Sequence, residues 1–226
     1  MENILITGAS RGIGRAIALA LCSNKNFLIL TGRDQRALAE TGRMVKENGG
    51  SAKTIVKDLS APAQIDELIS EIGSVKINHL INNAGMAVVK PFEDLSLDDW
   101  HKTFAVNVTA PFLLTQKLIG NMSAGSSIVN ILSVASKTGF ANWSSYCMSK
   151  FALDGFAKSI RGELGERGIR VINIYPGAID TDIWNDVEGE WPRDKMMSAD
   201  EVAKSVKFAM DAPANVVLED ITISNV

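Results

Sequence analysis

Short runs of consecutive apolar residues alternate with amphipathic stretches along the chain. This alternation limits the possible folds more than any other feature. Residues 3–7 (NILIT), 26–31 (NFLILT), 52–56, 79–82, 127–132, 171–175 and 217–223 read as strands. Between them, residues 12–23, 34–48, 64–72, a long stretch opening at Ser96, 144–167 and 198–211 carry helical spacing. Strands with Ile, Leu and Val at consecutive positions are covered on both faces, and strands separated by helices form parallel βαβ units. Right-handed crossovers then give an α/β chain, a doubly wound seven-stranded parallel sheet with helices on both faces. Local signals agree. Asp34 and Ser198 stand where N-caps belong, Pro62 stands where a helix can open, and Ser96 with Asp99 has capping-box spacing. Pro111 predicts a kink in the helix after Ser96.

No linker or repeat divides the 226 residues, so 1–226 reads as a single domain. The 46% hydrophobic content is that of a globular chain rather than a disordered one. A net charge of -3 argues against a general grip on nucleic acid. Cys22 and Cys147 form no metal or redox spacing and read as small buried thiols of a cytoplasmic protein. His79 and His101 make no ligand motif, so no metal is expected. No signal peptide and no apolar run long enough to span a membrane is apparent. The least regular stretch, 182–197, carries Trp184, Gly189, Trp191 and Pro192 and is expected to form a short substrate lid.

The first strand runs directly into Gly8, Ser10, Arg11, Gly12, Ile13 and Gly14. Glycines there allow a tight turn and let backbone N–H groups approach a pyrophosphate, which the positive end of the following helix also attracts. The end of the second strand discriminates between dinucleotides. An acidic residue there favours NAD, but this chain has Arg33, whose guanidinium suits a 2′-phosphate, with Arg11 as a second positive charge. The expected cofactor is NADP(H).

Tyr146 and Lys150 lie four positions apart on one helix and therefore share a face. Ser133 ends the fifth strand, at the carboxyl edge where such sheets bind ligands. A nearby ammonium is expected to lower the phenol pKa toward neutrality. Ser133 can orient a substrate oxygen while Tyr146 exchanges a proton with it.

Residues 7–14 (TGASRGIG), 82–85 (NNAG), Asn107, Ser133, Tyr146 with Lys150, and 176–181 (PGAIDT) together resemble the short-chain dehydrogenase/reductase family over nearly the whole chain. The resemblance implies a Rossmann fold, a carbonyl-reductase type of activity and a homodimer or homotetramer. It implies that Asn107 completes a Ser–Tyr–Lys–Asn tetrad, holding a water in a relay to Lys150, which also binds the nicotinamide ribose. It places Asp58 and Leu59 beside adenine. Asn82, Ala84 and Gly85 border the adenosine ribose, and Pro176, Gly177, Ile179 and Thr181 surround nicotinamide. The chain departs from the pattern at Val134, where relatives carry a second serine, with Ser136 nearby; Ser133 keeps the family's distance from Tyr146.

Phe140, Trp143, Trp184 and Trp191 flank these residues or fall in the expected lid, and are candidate pocket walls. They suit a small carbonyl or alcohol substrate with an aromatic or aliphatic body. Two alternatives are a 3-oxoacyl-acyl-carrier-protein reductase and a dinucleotide sensor that keeps the fold without the chemistry.

Overall fold

The computed structural model describes residues 1–187, 189–213 and 215–225. Its main sheet has seven parallel strands in the order β3-β2-β1-β4-β5-β6-β9. These are β1 (Glu2–Thr7), β2 (Asn26–Gly32), β3 (Ser51–Val56), β4 (His79–Asn82), β5 (Ser127–Ile131), β6 (Arg170–Pro176) and β9 (Asp220–Ile223). The chain winds outward from β1 to β3, then returns to place β4 on the other side of β1. That reversal opens a crevice at the carboxyl ends of β1 and β4, where open α/β sheets take ligands.

Strand alternation divides the apolar side chains between two cores. Ile4 and Ile6 of β1, Leu28 and Leu30 of β2, and Ile172 and Ile174 of β6 pack with α1 (Gly12–Ala20), α2 (Gln35–Glu47) and α7 (Ala199–Met210). Leu5, Ile29 and Val171 pack on the opposite face with α3 (Pro62–Ile72), α5 (Ala110–Leu118) and α6 (Ser144–Gly165). Continuous Ile/Leu runs are therefore needed, because successive residues enter different cores.

The second face also carries a buried polar row. Asn82, Asn130 and Asn173 stand in register on β4, β5 and β6. Asn82 Nδ2 donates to Asn130 Oδ1 at 2.9 Å, and Asn130 Nδ2 donates to Asn173 Oδ1 at 3.1 Å. The row ends at Tyr175, whose hydroxyl donates to Asp154 Oδ1 of α6 at 2.6 Å. An amide both donates and accepts, so Asn130 links its two neighbours directly, while Asn82 Oδ1 at the start of the row is buried without a partner.

Several expectations hold. Asp34 caps α2 through the Ala37 N–H at 2.9 Å, Pro62 opens α3, and Ser96 and Asp99 form both bonds of a capping box on α4 (Leu97–Phe104). Others are corrected. Ser198 caps α7 without a side-chain hydrogen bond, and Cys22 is only half-buried, its thiol donating to Val45 O at 3.2 Å. Before Pro111 lies a π-helical segment, Ala105–Thr109, which joins α4 to α5. A π segment shifts the hydrogen-bond register and so accommodates a residue without N–H. The stretch 182–197 is bracketed by a short parallel ladder, β7 (Ile179–Asp180) with β8 (Met197–Ser198), which the sequence pattern had not shown. Glu188 of the expected lid and Val226 of the final segment lie outside the described residues. Among the described residues, no helix is long and apolar enough to cross a membrane, and no group of His, Cys, Asp and Glu could hold a metal.

Asn130→Ala should strand a buried amide donor on Asn82 and an acceptor on Asn173, at about 1–3 kcal/mol each. Urea denaturation should show a loss of about 2–6 kcal/mol; a change below about 0.5 kcal/mol would show the row to be dispensable.

Candidate active site

The crevice is built first by stitching β1 to β4. Thr7 Oγ1 accepts the N–H groups of Asn83 and Ala84, each at 2.9 Å, and donates to Ile81 O at 3.2 Å. Asn83 Nδ2 returns to Thr7 O at 2.9 Å and Gly8 O at 3.2 Å. This approach requires glycines. Gly8 has φ +64°, and a Cβ on Gly14 would fall 2.2 Å from Gly8 O and 2.5 Å from Asn83 Nδ2. Arg15 and Thr41 hold the turn from behind: Arg15 Nη2 donates to Ser10 O at 2.6 Å, and Thr41 Oγ1 donates to the same oxygen at 3.2 Å.

The resulting cleft encloses about 630 Å3. Of the expected cofactor residues it is lined by Gly8, Ser10, Arg11, Gly12, Ile13, Arg33, Asp58, Leu59, Ala84, Gly85, Tyr146, Lys150 and Thr181. Two placements are corrected. Gly14 does not line the cleft; it makes room for the Gly8 carbonyl and Asn83. Asn82 is buried in the amide row, and its neighbour Asn83 faces the cleft instead. Pro176, Gly177 and Ile179, expected around nicotinamide, line the adjoining cavity that shares Ile13, Leu132 and Tyr146 with the cleft. Lys57, also on the cleft wall, carries no motif and is paired to Glu67 and Glu71 at 2.7 and 2.8 Å.

The cleft suits a dinucleotide on its own observations. The Ser10 hydroxyl is buried with no partner, ready for an acceptor or donor that enters the turn. A Cβ on Gly32 would fall 2.3 Å from that hydroxyl, so the small residue keeps it in place. Arg33 is exposed at the far end, and Arg11 faces Asp182 at 4.0 Å.

Tyr146 sits where the cleft meets a second cavity of about 310 Å3. Ser133 lies two residues beyond β5 and caps a 3₁₀ turn, its Oγ accepting the Ala135 N–H at 3.1 Å. A hydrogen bond from Ser133 favours the phenolate of Tyr146, but burial acts more strongly and holds the phenol above its usual pKa. The expected lowering by Lys150 is therefore not the dominant effect. Lys150 Nζ stands 5.7 Å from the Tyr146 ring centre and donates to Ile131 O at 2.8 Å. Burial depresses its pKa to about 8, so the ammonium persists at neutral pH. Ser136, the other candidate serine, is buried away from both cavities.

Asn107 falls inside the π segment, fully buried. Its Oδ1 accepts from Met86 N, and its Nδ2 donates to Met86 O and Ser149 Oγ, all at 2.9 Å. The side chain thus fixes the segment after β4. It lines neither cavity, although a Cβ on Gly85 would lie 3.5 Å from Asn107 Oδ1 and 3.8 Å from Lys150 Nζ.

The second cavity is bounded by Ser133, Phe140, Trp143, Tyr146, Trp184 and Trp191, as the sequence suggests, together with Pro176, Gly177 and Ile179. Trp143 meets Tyr146, Trp184 and Trp191 edge to face at 5.5, 5.7 and 5.8 Å. Arg193 holds the segment that carries the last two, donating to Asp180 Oδ1 at 2.6 Å and Asn185 Oδ1 at 3.0 Å.

A switch-point cleft with a glycine turn, opening beside a Ser–Tyr–Lys group, defines a dinucleotide-dependent oxidoreductase of the doubly wound class. More specifically, the chain belongs to the short chain dehydrogenase family, whose model matches residues 2–191. It is 33% identical to a sepiapterin reductase of Chlorobaculum tepidum, over 97% of this chain and 94% of that protein. It is 34% identical to the 3-oxoacyl-[acyl-carrier-protein] reductase of Aquifex aeolicus, over 96% and 93% respectively. A short chain dehydrogenase from Burkholderia cenocepacia, solved in complex with NADP, superposes with a TM-score of 0.89 at 28% identity, over 99% of this chain and 96% of that one.

The depressed Lys150 pKa has a consequence for stability. Below about pH 8 the folded protein carries a charge that burial disfavours; between about 8 and about 10.5 only the unfolded state keeps the proton. Stability from this group therefore rises with pH across that window, by about 3 kcal/mol in total. Lys150→Met should remove this gain, so that the difference between variant and wild type changes steadily from pH 8 to 10.5 in paired denaturation curves. A constant difference would contradict the buried ammonium.

Proposed function

We propose that the protein is an NADP(H)-dependent oxidoreductase that interconverts a carbonyl and an alcohol, with Tyr146 as general acid and base. The observation that carries this reading is the position of Tyr146, at the junction of the cleft and the apolar cavity, between Ser133 and Lys150. A protein that only sensed dinucleotides would have no use for this group. When bound, the nicotinamide supplies the hydride in reduction or accepts it in oxidation.

The chain's own residues do the rest. The glycine turn and Ser10 receive the pyrophosphate, and Arg33 with Arg11 receives the 2′-phosphate, a reading supported by the Burkholderia relative having been solved in complex with NADP. Lys150 binds the nicotinamide ribose. Ser133 donates to the substrate carbonyl oxygen and orients it. Tyr146 gives its proton to that oxygen as the carbonyl carbon gains hydride, so the C=O becomes C–OH. The raised phenol pKa keeps this proton available at neutral pH. Lys150 stabilises the phenolate left behind. Asn107, bonded to Met86 and Ser149, holds the segment after β4 against α6 beside this group.

Tyr146→Phe should reduce carbonyl-dependent NADPH consumption by about 10²–10⁴-fold while leaving NADPH binding intact. In the wild type, alcohol oxidation should rise with pH, because it needs the phenolate, whereas carbonyl reduction should not. Full activity in the Phe variant would refute the role. Separately, Arg33→Asp should weaken NADPH use and favour NADH in kcat/KM; an unchanged preference would count against the 2′-phosphate site.

A further inference from the structure

The cavity beyond Tyr146 is selective in what it can hold. Among the described residues its lining includes no Lys, Arg, His, Asp, Glu, Asn or Gln. Its hydroxyl side chains are Ser133 and Tyr146, both engaged with the reacting oxygen in the proposed reaction, and Thr181 at the cleft boundary; the Trp143 indole N–H is its other donor.

The lid indoles add nothing to that count. Trp184 Nε1 donates to Ile179 O at 2.7 Å, and Trp191 Nε1 donates to Val187 O at 3.4 Å. Their N–H groups are tied to backbone, leaving ring faces and edges for a ligand. Trp184 and Trp191 lie 4.7 Å apart, and Trp143 joins both to Tyr146. A continuous aromatic wall therefore runs from the reacting phenol to the lid.

Size narrows the choice further. The cavity measures about 310 Å3, near the lower end for small-molecule sites. Ile13, Ala87, Leu132, Thr181 and Ile183 line both it and the cleft, so nicotinamide would occupy part of this space.

Resting on the carbonyl-reductase reading, we propose that the substrate is a compact, uncharged ketone or aldehyde with an aromatic body, held by the Trp143–Trp184–Trp191 wall. Aromatic rings pair favourably edge to face and offset face to face with indoles. A carboxylate, a row of hydroxyls or a heterocycle edged with amides would be desolvated here without partners. The cavity thus selects against sugars, acidic ketones and pterin-like rings, even though a sepiapterin reductase is among the relatives.

The test uses the protein loaded with NADP⁺ and titrated by calorimetry with acetophenone, 4-acetylbenzoate and dihydroxyacetone. NADPH consumption is followed with the same three compounds. Acetophenone should bind about tenfold or more tightly than either polar ketone. Trp143→Leu should weaken it by a similar factor without changing NADPH affinity. Equal or tighter binding of 4-acetylbenzoate or dihydroxyacetone would overturn the inference, while NADPH consumption with either would leave the reductase reading standing. Failure of all three to bind would also overturn it. Selective acetophenone binding with no NADPH consumption would refute the reductase reading and retain the ligand class.

Discussion

A single ammonium buried at the end of a parallel sheet anchors the chemistry proposed for this protein. Lys150 reaches from the second turn of α6 to the Ile131 carbonyl, the last residue of β5, at 2.8 Å. Burial opposes its charge and depresses its pKa to about 8, but does not abolish the charge at neutral pH. One helical turn earlier, the same burial acts on Tyr146 in the opposite chemical sense and keeps the phenol protonated. The pair is thus held as acid and cation, a resting state suited to giving a proton to a carbonyl oxygen.

The scaffold's polar interior supports that arrangement. Two sets of buried hydrogen bonds hold the strand ends in register: the amide row through Asn82, Asn130 and Asn173, and the Thr7–Asn83 knot between β1 and β4. The first lies on the face that receives α6, the helix bearing Tyr146 and Lys150, and ends on Asp154 of that helix. The second shapes the turn proposed to accept the dinucleotide. Asn107 links the segment after β4 to α6 through Met86 and Ser149. Sheet, cleft and α6 are therefore joined through side-chain amides rather than by apolar packing alone.

Much of this was legible in the sequence, because strand periodicity and glycine spacing are local. The apolar runs located all seven main-sheet strands, and TGASRGIG located the turn. What escaped depends on contacts between distant segments. Nothing local distinguishes Asn82 from Asn83; only the alternation of β4 sends one into the sheet interior and the other to the cleft. The β7–β8 ladder has two residues per strand, too few to show a period. Gly14 belongs to the glycine motif, yet its role is steric and concerns the Gly8 carbonyl. The direction of the Tyr146 shift was misjudged because helical spacing reports that two side chains share a face, not how thoroughly both lose water.

The proton state of Tyr146 is open to direct measurement, since the chain has only two tyrosines. Tyr175 is fully buried and bonded to Asp154, which holds its pKa far above the usual range. Carbon-13 NMR of protein labelled at the tyrosine ζ carbon should therefore show two resonances, with Tyr146 identified by its loss in Tyr146→Phe. In cofactor-free protein the Tyr146 signal should remain that of a phenol through neutral pH and begin to titrate only above about 10. A phenolate signal at pH 7 would contradict the account.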